Sequence, residues 1–224
     1  MAEAINSQNR SRSDPHSQRH TGYARPASGR RNLGSVLISM NHKDHVNLLQ
    51  GGISETGGVW AEFGSGSGAF TLALAELLGP GAQIYSVDKK KSALRRQEME
   101  MGKRFPGTHL QTITADYSRP FDLPPLDGVV MANALHFQRK KDGVLQLIQR
   151  YLRPGGRLLL VEYNVDHGNF WVPHPLSYPS WEKLAERNDF TNTRLLCTRP
   201  SSFLREFYSA VSFKSDEVGV VSGS

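Results

Sequence analysis

At 224 residues with 38% apolar content, the chain can bury a sizeable core, and its single cysteine, Cys197, excludes an internal disulfide or a cysteine-based zinc site. No apolar run approaches the ~20 residues that span a bilayer, so no membrane partner is expected and the expected location is cytoplasmic. The net charge of +6 is uneven: residues 1–32 carry six arginines against Glu3 and Asp14, whereas the rest holds 21 basic and 19 acidic residues.

With almost no large aliphatics, residues 1–32 are expected to be a disordered basic arm, and residues 33–224 a single domain. Arg30-Arg31 precede a short apolar stretch, but charged "NHKDH" follows with no small-residue cleavage site, so export is not expected. A helix is expected across His42 and His45. Strand and helix patterns then alternate: strand 59–64, helix 69–78 stopped by Gly79-Pro80, strand 83–88, and a charged helix 90–104. Strands follow at 110–116 and 127–135, then a helix at 143–152, a strand at 156–164, and a loop rich in Pro, His and aromatics. A helix over 181–187 precedes two consecutive strands, 193–198 and 205–213. This alternation implies an α/β fold: a doubly wound, mostly parallel seven-stranded sheet whose last two strands, lacking a helix between them, form an antiparallel hairpin at one edge.

In such sheets ligands bind beyond the carboxyl ends of the strands, where strand order reverses. There the sequence reads "EFGSGSG", Glu62 to Gly68. Gly64 permits a tight turn, while Gly66 and Gly68 let backbone approach a ligand. Two readings compete. Gly64, Gly66 and Ala69 satisfy a dinucleotide fingerprint, with Asp88 about 20 residues on. Against it stand Glu62 inside the strand, Asp116 at the end of the third strand, the edge hairpin, and little spare chain for a substrate domain.

The chain from about Asn41 to Phe213 resembles the class I S-adenosylmethionine-dependent methyltransferases, in their small-molecule branch. The motifs that carry the resemblance are "EFGSGSG", "VD" at 87–88, "TAD" at 114–116, "MANALHF", and "LRPGGRLLLVEY". It implies S-adenosyl-L-methionine as cofactor, held by Glu62, Gly64, Ser65, Gly66, Gly68, Asp88, Lys89, Asp116, Tyr117, Asn133, Ala134 and Leu135. Glu62 would lie near the methionine part and Asp88 would accept both ribose hydroxyls. Asp116 would take the adenine amino group with Tyr117 beside the ring, and the backbone of Asn133, Ala134 and Leu135 would line the methionine side.

Methyl transfer from a sulfonium needs chiefly an aligned acceptor, with a base only where the acceptor must lose a proton. Candidate bases are His42 and His45, which share a helix face, and His136 at the end of the fourth strand; His167 and His174 lie on the spare loop. His42, Asp44 and His45 lack any further ligand spacing, so no metal is expected. "NALH" stands where nucleic-acid amino methyltransferases carry N/D-P-P-Y/F/W, and one cysteine is too few for arsenic methylation. Phe170, Trp171, Tyr178 and Trp181 around the loop point either to a modest apolar pocket for a small-molecule acceptor or, equally, to packing of the loop on the sheet. Two alternatives stand beside this reading: an RNA methyltransferase guided by the basic arm, and a non-catalytic cofactor-binding module.

Overall fold

The chain's computed structural model describes residues 40–216, so the expectation for the basic arm lies outside the described residues. Seven strands form one sheet: β1 Val59–Phe63, β2 Gln83–Asp88, β3 His109–Thr114, β4 Leu126–Ala132, β5 Leu152–Tyr163, β6 Phe190–Pro200 and β7 Glu206–Lys214. Five helices accompany them: α1 His42–Gln50, α2 Ala69–Leu78, α3 Lys91–Arg104, α4 Asp142–Tyr151 and α5 Tyr178–Arg187. The strand order is β3-β2-β1-β4-β5-β7-β6. The first five strands run parallel, and β7 runs antiparallel to both β5 and β6. The doubly wound seven-stranded sheet with an antiparallel C-terminal hairpin is as expected, with β6 outermost and β7 between it and β5.

Period-two patterning divides the core. Ala61, Val129, Met131, Leu158 and Leu160 face α4 and α5, in the cluster that holds Ile148 and Trp181. Trp60, Val130, Ala132, Leu159 and Val161 face α1, α2 and α3, with Leu49, Leu74 and Met101. Both faces of the central strands are covered, which is why "LLLV" in β5 is continuously apolar instead of alternating. Helix α1 starts on a capping box, in which Asn41 and Asp44 satisfy each other's backbone amides.

Several boundaries differ from the sequence reading: α5 begins at Tyr178, three residues early, β6 runs from Phe190 to Pro200, and three others have a clear local reason. Strand β3 ends at Thr114, and Asp116 lies beyond it in a turn where its carboxylate accepts from the Ser118 amide at 2.9 Å. Strand β4 ends at Ala132 because Asn133 takes φ +51°, and Leu135–Phe137 form a 3₁₀ turn, so His136 stands in that turn. The apolar run continues past the strand because Ala134 and Leu135 remain buried. Strand β5 begins at Leu152, four residues earlier than expected: Leu126 pairs with Leu152 and Gly128 with Arg157, so residues 153–156 loop out of register.

Gly128 in β4 is where the sheet leaves no room for a side chain, since a Cβ there would collide with the Trp60 ring. Gly128→Ala should lower the unfolding free energy by about 1–3 kcal/mol through overpacking, measured by urea denaturation followed by circular dichroism.

Candidate functional site

Strand order reverses between β1 and β4, whose neighbours β2 and β5 lie on opposite sides. A cavity of about 530 Å³ opens at the carboxyl ends of these strands. Gly64 and Gly66 from the loop after β1, Asp88, Lys89 and Lys90 from the end of β2, and Tyr117 after β3 form part of its wall. Asn133, Ala134, Phe137 and Gln138, from the segment after β4, complete it.

The loop after β1 is held from below by β2. The amides of Gly64 and Ser65 donate to the Val87 carbonyl at 2.8 and 3.1 Å. The Asp88 carboxylate accepts from Gly66 N on one oxygen and from Lys90 N on the other, both at 2.8 Å. Asp88 therefore shapes the loop, and each oxygen keeps a further acceptor site toward the cavity. All three glycines have positive φ, for different reasons. At Gly66 a Cβ would meet open space, as expected of backbone presented to a ligand. At Gly64 it would come within 2.7 Å of the Ala134 Cβ, and at Gly68 it would strike the Gln97 side chain of α3. Gly68 thus admits a buried neighbour and is not part of the cavity wall.

Gln97 belongs to a buried polar chain behind the loop. Its amide donates to the Thr71 hydroxyl, which donates to Glu62; its carbonyl oxygen accepts from Ser86, which is 2.6 Å from Ser65 Oγ. Glu62 is almost wholly buried there and does not line the cavity. Burial pushes its carboxyl up to about 8, the Thr71 hydrogen bond opposing and the Asp88 charge adding to the shift. Asp116 is the reverse case. The hydroxyl of Ser118, followed by the ammonium of Lys89 at 2.9 Å, holds its carboxyl down at about 2.

Of the cofactor-binding residues named from sequence, Gly64, Gly66, Asp88, Lys89, Tyr117, Asn133 and Ala134 meet at the cavity. Glu62, Ser65, Gly68 and Leu135 are packed behind it, and Asp116 flanks it through Lys89. Lys90, Phe137 and Gln138 were missed; the only signal for them was adjacency to named residues. Tyr117 ties two sides together, its hydroxyl donating to the Ala134 carbonyl at 2.8 Å. Asn133 is the residue with unmet capacity: its side-chain Oδ1 is buried and has no hydrogen-bond partner among the described residues. A buried orphan acceptor in a cavity wall fits a ligand that brings an N–H donor.

The histidines separate clearly. His42 contacts Glu76 of α2 at 2.6 Å and His45 packs edge-on against Phe70 of the same helix; neither lines the cavity. Asp44 is taken by Arg199 at 2.7 Å. His136, next in sequence to the cavity-lining Phe137, is buried and not itself part of the wall; its ring lies 4.2 Å from that of Phe137, and Glu162 from the end of β5 receives its backbone amide at 3.1 Å and approaches Nδ1 at 2.7 Å. Glu162, fully buried, was also missed by sequence; the signal available was an acid closing an otherwise apolar strand, "LLLVEY". His167 is exposed, while the His174 amide donates to the His136 carbonyl at 3.1 Å and seats the loop on the 3₁₀ turn. The expected aromatic quartet is divided: Trp181 and Tyr178 pack against Phe190 and Tyr208 beneath α5, whereas Phe170 and Trp171 project into solvent.

Known proteins bear on this geometry. Residues 61–158 match a family described as a methyltransferase domain. Over 104 residues the chain is 30% identical to the ubiquinone/menaquinone biosynthesis C-methyltransferase UbiE of Hahella chejuensis, an alignment covering 46% of this chain and 42% of the relative. The chain thus spans under half the length of the curated relatives it first matches. The fold is similar to that of a Burkholderia thailandensis 1,6-didemethyltoxoflavin-N1-methyltransferase solved with its acceptor and S-adenosylhomocysteine (TM-score 0.62, 18% identity, 78% of each chain). It is also similar to the CurJ carbon methyltransferase (TM-score 0.58, 20% identity, 72% of this chain and 50% of that one).

The raised Glu62 carboxyl carries a consequence for stability. Between about pH 4.5 and 8 the folded protein holds a proton that the unfolded chain has released, so this group makes stability fall as pH rises, by at most about 1.4 kcal/mol per pH unit. Glu62→Gln should lack that decline. Urea midpoints of wild type and variant, compared from pH 5 to 8, should diverge steadily in favour of the variant as pH rises.

Proposed function

We propose that the chain is a class I S-adenosylmethionine-dependent methyltransferase that transfers a methyl group to a small-molecule carbon acceptor that must first lose a proton. The observation that carries the reading is the buried His136–Glu162 pair, in the turn that supplies Phe137 and Gln138 to the cavity wall. A carboxylate on Nδ1 favours the neutral tautomer with its lone pair on Nε2, and Nε2 makes no hydrogen bond among the described residues. Such a nitrogen suits removal of a proton from a carbon acid or a phenol. A neutral amine acceptor, whose lone pair is already nucleophilic, needs no base before attack. Carbon methylation is also what the names of UbiE and CurJ state for those proteins.

The cavity fits S-adenosylmethionine on its own chemistry. Asp88 retains acceptor sites for a pair of hydroxyls, the flat Tyr117 ring forms one wall, and the orphan Asn133 oxygen suits an ammonium donor. Gly66 lets the loop backbone approach without a side chain between. When bound, S-adenosylmethionine supplies an activated methyl group on a sulfonium sulfur. His136 then receives the acceptor's proton at Nε2, while Glu162 fixes the ring through Nδ1 and stabilises the resulting imidazolium. Lys141, whose ammonium donates to the carbonyls of Gln138 and His174 at 2.9 and 2.8 Å, clamps the loop over that base.

Two outcomes test the reading. Asp88→Ala should weaken S-adenosylhomocysteine binding by about 1.5–3 kcal/mol, one to two decades in Kd, by calorimetry. His136→Gln should leave that affinity within about twofold yet lower turnover on the order of 10²–10⁴-fold. Turnover is read as methyl-labelled product by mass spectrometry with a panel of 1,3-dicarbonyl and phenolic acceptors. Methylation confined to amines or thiols, or undiminished in the histidine variant, overturns the carbon-acid assignment.

A further inference from the structure

The part of the loop after β5 that is not packed on the site is built outward. Phe170 is 88% and Trp171 69% exposed, and their rings meet edge to face at 5.3 Å. The turn presenting them is held firmly. The Asn169 side chain accepts from the amides of Trp171 and Val172, both at 2.9 Å, and the Asn169 amide donates to the Val172 carbonyl at 3.0 Å. At Gly168 a Cβ would run into the carbonyls of Val172 and Pro173. Two large aromatics fixed on a convex tip do not form a small-molecule pocket, which requires concavity.

The neighbouring element supplies charge. The loop is pinned to the segment before α4 by Lys141 and by the His174–His136 bond, so both rise from the same end of the sheet. There Phe137 is exposed, and Arg139 and Lys140 make no ion pair or hydrogen bond among the described residues. Acids on these elements are engaged: Asp142 by Arg187 and Asn188, Asp166 by Ser177, Glu162 by His136. The surface is therefore aromatic at its tip and cationic at its flank. We infer that it seats the protein on a bilayer carrying anionic lipid, Phe170 and Trp171 entering the headgroup boundary and Arg139 and Lys140 meeting the lipid charge. No spanning segment is needed, so the expectation of no membrane partner, drawn from the lack of a long apolar run, does not bear on this surface. Phe137, which is exposed and lines the cavity with Gln138, then lies toward the membrane, the side from which an apolar acceptor would arrive.

The protein carries its own reporter. Of three tryptophans, Trp60 and Trp181 are buried and Trp171 alone is exposed. Full-length protein titrated with phosphatidylcholine–phosphatidylglycerol vesicles should show a blue shift of tryptophan emission that pure phosphatidylcholine does not produce and that salt reduces. Arg139→Gln and Lys140→Gln should each weaken vesicle binding about fivefold. Phe170→Ser should remove most of the shift while keeping the far-ultraviolet dichroism and S-adenosylhomocysteine affinity of the wild type. Those controls separate loss of this surface from failure of the functional reading above. Three results overturn the inference: vesicle binding with unmoved emission, which assigns it to another surface; equal binding by the variants; and no response to any vesicle, as a surface made for an acidic protein would give.

Discussion

One carboxylate organises the site. Asp88 ends β2 and spends an acceptor on each of two backbone amides, Gly66 in the loop after β1 and Lys90 at the start of α3. Without that anchor, the loop, in which Gly64, Gly66 and Gly68 take left-handed backbone at alternate positions, would be held only at its start, by Val87 and Ser86. With it, the loop, the start of α2 and the start of α3 share one reference point at the sheet's edge. The buried chain from Glu62 through Thr71 and Gln97 to Ser86 and Ser65 fastens the same elements from beneath. Polar groups so deep are tolerated because each has a partner, and a satisfied network allows fewer arrangements than an apolar core of equal volume.

The sequence was most legible where chemistry and periodicity coincide. Alternating apolar runs separated by helical spacing were sufficient for the parallel strands, and the missing helix before β7 for the antiparallel edge. What sequence order could not reveal was depth. Glu62 and Asp88 read alike as acids near a glycine loop, yet one lies behind it with a raised carboxyl and the other shapes the cavity wall. Gly66 and Gly68 read alike as well, although one faces open space and the other faces Gln97, 29 positions further along the chain. Position relative to the sheet decides these differences, and it depends on contacts distant in sequence.

The histidines make the same point through partners. His42, His45 and His136 could not be ranked by spacing, because the group that distinguishes His136 arrives from a different strand. The aromatic quartet failed as a single cluster for a related reason. Trp181 lies on a helix face and is drawn into the core, while Trp171 lies on a turn whose own hydrogen bonds hold it outward. Local hydrogen bonding by Asn169 overrides the pull of apolar burial there.

The place of β7 in the sheet has a bearing on how the chain is made. The final strand of the described residues is not at the edge: it inserts between β5 and β6, and its register couples Glu162 to Tyr208 in the middle of the flank. During synthesis β5 therefore emerges with one side of its backbone unpaired and "LLLV" exposed to collisions, and β6 cannot dock until residues 206–214 have left the ribosome. Until then the β5 edge that β7 covers in the folded sheet stays open. A chaperone that shields strand edges would be most useful in that window, and a translational pause after β6 would lengthen the exposure.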